Sequence, residues 1–255
     1  MCVLLLLLWA TLALAQPTVS SGPSDGSVGP ASGRAPGGSG GPVSAKDTFE
    51  RAGPALGAPW GPAASYLAAP PVIVNASDVF SASVGSVGQE AAVYTALPLP
   101  SNDTYACTVI SGTGTQGVAG NSSMAGACLI IDGVQDSMCC VAQNGSSAQW
   151  LMTGRDNGTT LGTLASAADP IAAGDTIAIK RTDATTFQCY KATAAAPTTW
   201  VALGTGPITQ ANIAANGAGG LFYYWTGAGG AATNLQIEAW ETGTGALPTT
   251  HACGA

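Results

Sequence analysis

Between residue 46 and residue 243 the chain alternates short apolar runs with clusters of Gly, Asn, Asp and Pro. Runs at 72–75, 91–95, 105–110, 128–132, 137–142, 149–153, 175–181, 186–191, 199–203, 220–225 and 234–240 have strand length and strand composition. No stretch keeps a helical period for a useful length. Evenly spaced short strands broken by turn residues describe a sandwich or a barrel. Within the runs the two-residue period assigns faces. Leu235, Ile237 and Ala239 are expected to face the core, with Gln236, Glu238 and Trp240 opposite. Ile177 and Ile179 share one face, and so do Phe187 and Cys189, which directs Cys189 inward.

Outside this region the pattern changes twice. Residues 3–15 form the only long apolar run, ending in Ala13-Leu14-Ala15. It is too short for a comfortable membrane span and closes on the small-x-small pattern of a signal-peptidase site. Residues 1–15 are therefore read as a cleaved signal peptide, so the mature form carries no membrane span. Residues 16–45, rich in Gly, Ser and Pro, offer almost no large apolar side chain to offset their ordering entropy and are expected to be a disordered linker. The sandwich is assigned to 46–243 and a C-terminal tail to 244–255.

The cysteine count follows from this division. Loss of Cys2 with the signal peptide leaves Cys107, Cys128, Cys139, Cys140, Cys189 and Cys253, an even number in an oxidising compartment. Up to three disulfides follow, in any of fifteen connectivities. Cys139 and Cys140 point to opposite faces of a regular strand, so they do not share a bridge. Sequons begin at Asn75, Asn102, Asn121, Asn144 and Asn157. They fit passage through a glycosylating secretory route, although Asn-Gly and Asn-Ser turns beside Thr-rich strands also generate such triplets.

Only 8% of residues are charged, and 14 acidic against 7 basic residues give a net charge of -7. No Lys/Arg run could neutralise a series of phosphates, which excludes nucleic acid as a natural partner.

The opening of the folded region, Asp47-Thr-Phe-Glu-Arg-Ala-Gly-Pro-Ala-Leu-Gly-Ala-Pro-Trp60, resembles the first strand and turn of concanavalin A-like, laminin G-like jelly-roll domains. Asp47, Phe49, Arg51, Ala52, Leu56, Gly57 and Trp60 match that pattern. The later order also fits: a Gly-Asp-x-Ile-x-Ile strand from Gly174, a Trp-bearing strand at Trp200, a Gly-Leu strand at Gly220 and a last strand at 235–240. The resemblance implies an all-β, two-sheet antiparallel jelly roll. Trp60 is expected to plug the core or an edge.

Hydrolases of this architecture carry two Glu on one strand, both reaching the groove. Here Glu238 and Glu241 are three apart and face opposite ways; with Glu50 and Glu90 they are read as solvated charges. His251, the only histidine, lies in the mobile-looking tail without a held serine. The expectation is a non-catalytic domain. Domains of the resembled family often bind calcium at loop carboxylates, for which Asp132, Asp136 and Asp156 are the candidates, with isolated turn-forming aspartates as the alternative and no other cofactor expected.

Sugar rings stack on aromatic faces while amides and carboxylates bond their hydroxyls. Trp150, Tyr190, Tyr224, Trp225 and Trp240, with Gln188 beside Tyr190 and Glu238 beside Trp240, are the candidate ligand residues. The leading expectation is a secreted recognition or adhesion module binding carbohydrate or glycoprotein. A structural subunit of a coat, fibre or virion, assembling with copies of itself, is the alternative; a polysaccharide-active enzyme ranks third.

Overall fold

The structure, a computed structural model, describes residues 43–51, 56–62, 72–73, 79–80, 88–100, 102–112, 123–130, 136–144, 149–169, 172–213, 216–225 and 235–255. The expected signal peptide, the linker up to residue 42, Asn75, Asn121 and Asp132 lie outside them, as do the side chains of Asn144 and Trp225. The described residues form strands and turns, with no helix among them.

The strands, numbered in chain order, make two antiparallel sheets. The first runs β14 (Ala196–Ala202), β13 (Thr186–Thr193), β12 (Thr176–Arg181), β6 (Thr104–Gly112), β17 (Gln236–Thr244), β4 (Val79–Phe80), β3 (Val72–Ile73). On it, β1 (Ser44–Asp47) pairs β17 and β15 (Ile208–Thr209) pairs β13. The second runs β10 (Thr159–Thr160), β9 (Gln149–Asp156), β8 (Ser137–Asn144), β7 (Ser123–Ile130), β16 (Gly217–Trp225), β5 (Gly88–Leu99), β2 (Trp60–Pro62). There β11 (Ala165–Ala167) pairs β9. The expected two-sheet sandwich is what the chain forms. Its first strand begins at Ser44, two residues inside the stretch read as linker.

Between the sheets lies one apolar cluster, to which the first contributes Ala106, Ile177, Ile179, Phe187 and Trp240, and the second Ala127, Met138, Trp150, Met152 and Tyr223. Ile177 with Ile179, and Phe187 with Cys189, face inward as the two-residue period requires. Cys189 meets Cys140 of the opposite sheet in a disulfide that spans this core. Cys139 points away from the core and bridges its cross-strand neighbour Cys128. The third bridge joins Cys107 to Cys253.

The Asp47–Trp60 segment ties the sheets together at one side. Asp47 ends a strand of the first sheet, and Trp60 opens a strand of the second. The Asp47 carboxylate accepts the Phe49 backbone N–H at 2.8 Å and the Trp60 indole N–H at 2.6 Å, and it also pairs with Arg51. The Asx turn so made carries Phe49 at φ 57°. Trp60 then packs edge-on against Trp240 at 4.7 Å and against Tyr94 at 5.4 Å between ring centroids. The Asp, Phe, Arg and Trp positions of the opening pattern are thus one hydrogen-bonded and stacked unit, with Trp60 as an edge plug.

The bridges differ in the length of chain they close: 146 residues for Cys107–Cys253, 49 for Cys140–Cys189 and 11 for Cys128–Cys139. Loop-closure entropy ranks their contributions at about 5, 4 and 3 kcal/mol. Paired Cys→Ala variants are expected to lose stability in that order in urea unfolding.

Candidate functional site

The last strand does not keep its period. Opposite β6, Ile237 pairs with Ile110 while Ala239 pairs with Val109, so Glu238 is an extra residue on β17. This β-bulge exchanges the faces of everything after it. Leu235 and Ile237 point into the core as expected, but Ala239 lies on the outer face and Trp240, fully buried, is in the core. Trp240 is therefore no ligand platform. Its neighbour Glu241 turns outward yet is only 1% exposed, in contrast to the solvated charge expected from the sequence.

What buries Glu241 is the C-terminal segment. After β17 the chain turns at Gly245, whose N–H donates to the Asp103 carbonyl at 2.7 Å and whose carbonyl accepts from Lys180. It crosses the outer face of the first sheet as far as β14, where the Trp200 indole N–H donates to the Pro248 carbonyl at 2.7 Å. It then returns, placing His251 and Gly254 over β17 and Cys253 in its bridge to β6. The Tyr105 hydroxyl donates to Glu241 Oε1 at 2.7 Å, the Gly254 N–H to Oε2 at 3.0 Å, and His251 Nε2 lies 3.0 Å from Oε2. Tyr105, Cys107, Ala178, Leu247 and Cys253 form the small apolar cluster under the segment. His251 is thus held on a buried carboxylate rather than free in a mobile tail.

Between this segment and the end of β1 the outer face keeps a recess of about 240 Å³. Its lining includes Thr48, Glu50, Val109, Glu238 and residues 252–255. The bulge delivers Glu238 to it, and Glu50 arrives from the Asp47 turn; both side chains are exposed. The volume lies below the roughly 300–1,000 Å³ of drug-sized sites, so the recess admits a small ligand or one part of a larger one.

The other sequence candidates do not converge here. Trp150 is fully buried in the core, and Gln188 is buried with its amide donating to the carbonyls of Leu203 at 2.6 Å and Cys189 at 3.0 Å. Tyr190 is half-buried beside Trp200 on the outer face of the first sheet. Tyr224 sits against Cys128 and Phe222 on the outer face of the second. Among the candidates whose side chains are described, Glu238 alone reaches the recess. Thr48, Glu50, Tyr105, Trp200 and His251 were not singled out as site residues, and the available signal was Cys253: a bonded cysteine near the chain end obliges that end to return to a sheet.

The calcium candidates lie at the adjoining ends of β8 and β9. Asp136 Oδ1 accepts the Asn157 N–H at 2.6 Å, and Asp156 Oδ2 accepts the Asn212 amide at 2.8 Å. Calcium takes 6–8 oxygens, often with several carboxylates. Among the described residues no three metal-binding side chains gather, and Asp136 and Asp156 each brace a loop.

No protein-family model matches the sequence. No curated protein matches it either. Solved structures do share the fold. The VIP36 exoplasmic/lumenal domain in its Ca2+-bound form superposes with TM-score 0.51 at 11% identity, covering 81% of this chain and 93% of that one. Its Ca2+/Man2-bound form gives 0.50 at 11% identity, over 81% and 89%. The Bacteroides ovatus xyloglucan PUL GH43B protein aligns at 0.48 and 13% identity over 77% of this chain, which spans 38% of that protein's length. The fold is the concanavalin A-like jelly-roll sandwich, as the opening motif implied.

Burial first, then the hydrogen bond to Glu241 and its charge, push the Tyr105 hydroxyl well above the ordinary tyrosine range. A raised pKa contributes stability that is complete below the unfolded value of about 10 and is lost as pH rises above it. Urea unfolding from pH 8 upward is expected to show stability falling above about pH 10, and Tyr105→Phe to flatten that decline.

Proposed function

We propose that the chain is a secreted, non-catalytic recognition module that holds a neutral or basic saccharide in the recess at Glu50 and Glu238. The observation that carries this reading is the recess itself, a small hollow with two exposed carboxylates on the outer face of a concanavalin A-like sheet. Carboxylates accept hydrogen bonds from sugar hydroxyls or an amino group, and they repel uronate and sialate groups. The same fold in VIP36 is seen with a bound mannose disaccharide.

The non-catalytic reading is supported by exposure. A glycosidase keeps one carboxyl protonated by placing it against apolar surface, whereas Glu50 and Glu238 both stand in solvent. Three disulfides among the described residues support an oxidising, extracellular destination. So does Asn157, exposed at the tip of the β9–β10 hairpin, where Asn157 and Gly158 take φ 48° and 76° as a two-residue I′ turn requires. Self-assembly is the second reading, favoured by Val201, 55% exposed on the uncharged edge strand β14.

On a glycan array the secreted protein is expected to bind neutral or amino sugars and to ignore acidic ones. Glu238→Gln and Glu50→Gln are each expected to weaken binding about tenfold, the equivalent of one charged hydrogen bond. A silent array combined with a large particle in light scattering overturns the recognition reading in favour of assembly. Expressed in a glycosylating host, Asn157→Gln is expected to lose the mass of one N-glycan.

A further inference from the structure

Glu241 is too deeply placed to meet a ligand, yet one of the groups it holds, Gly254, lines the recess. Its carboxylate gathers three donors from two parts of the chain: Tyr105 from β6, and His251 and Gly254 from the C-terminal segment. Gly254, together with Ala252, Cys253 and Ala255, forms one wall of the recess. Lys46, the register partner of Glu241 on β1, donates from its ammonium group to the Ala255 carbonyl and so ties the same wall from the other side.

The fit between wall and strand is close. Gly254 takes φ +78°, and a β-carbon there would stand 2.7 Å from the Ala239 β-carbon and 3.1 Å from the Trp240 nitrogen. Only glycine lets this segment lie on β17 next to the bulge.

From this we infer that Glu241 is a latch: it positions residues 251–255 as a separable wall, and thereby shapes the recess without contacting what enters it. The inference rests on the recess being the ligand site, and it deepens that reading by assigning control of the site to a buried group. The Cys107–Cys253 bridge makes the wall separable rather than lost. It pins the segment at Cys253, and Trp200 and Lys46 hold Pro248 and Ala255, so breaking the carboxylate contacts loosens His251 and Gly254 while the chain stays tethered. Buried charge-assisted hydrogen bonds are strong, and a Gln side chain keeps only one acceptor oxygen, so either Tyr105 or the Gly254 N–H loses its acceptor.

The test uses the full secreted chain with disulfides intact, as wild type, Glu241→Gln and Gly254→Val. The first variant removes the charge; the second displaces the wall by bulk and leaves the carboxylate in place. Two readouts need no ligand: hydrogen exchange of the 245–255 peptide, and labelling of Glu50 and Glu238 by carbodiimide with an amine. The latch predicts that both variants raise exchange about tenfold or more and change labelling of Glu238, while exchange elsewhere in the two sheets stays as in wild type. Unchanged exchange and labelling in Glu241→Gln overturn it. So does loosening spread through both sheets, which would make Glu241 a general stability residue.

A third readout, calorimetric binding of glucosamine trimer, is expected to weaken in both variants. If the trimer and the array are silent even for wild type, the saccharide reading falls, while exchange and labelling still decide the latch. Trimer binding that persists unchanged in variants with raised exchange also overturns the inference.

Discussion

One extra residue in the last strand organises much of this molecule. Without the bulge at Glu238, the two-residue period would put Trp240 in solvent and Glu241 in the core. With it, the indole joins Trp60 and Tyr94 at the junction of the sheets, its N–H donating to the Gly220 carbonyl at 3.1 Å. The carboxylate moves to the outer face, where Tyr105 and the returning chain end can meet it. A fully buried indole and a satisfied buried carboxylate both depend on this irregularity, and so does the position of Glu238 in the recess. Bulges concentrate where a strand must re-aim a side chain, and here one bulge re-aims three.

The covering of the first sheet's outer face follows the same logic. That face carries Tyr105, Cys107, Val109 and Ala178, too apolar to be left wet, and the C-terminal segment supplies the cover. It is held by contacts of different kinds: a disulfide, carboxylate hydrogen bonds, the Trp200–Pro248 bond and the ammonium of Lys180 on the Gly245 carbonyl. None of them extends the sheet. The segment is therefore fixed without being a strand, and beside it the face keeps the recess into which Glu50 and Glu238 reach.

Sequence order explains why the site was harder to read than the fold. Glu50 and Glu238 are far apart in the chain and carry no motif of their own. They share a recess because β1 pairs with β17, a long-range contact that no local period announces. Residue type alone marks Trp150 and Trp240 for stacking on a ligand, but large aromatics in a two-layer sandwich serve the core first. Gln188 shows the same bias: an amide that could bond a sugar instead satisfies two backbone carbonyls.

By itself the sequence determined what depends on neighbours in the chain. Turn residues at short intervals dictate many short strands, alternation places Ile177, Ile179, Phe187 and Cys189 in the core, and adjacency sends Cys139 and Cys140 to opposite faces. The Asp47–Trp60 motif is equally local, because its carboxylate bonds residues within its own turn. Tertiary structure alone decided which cysteines pair, where the period breaks and where the chain end returns. Those outcomes turn on register between strands distant in sequence, and a one-residue shift of register exchanges every face beyond it.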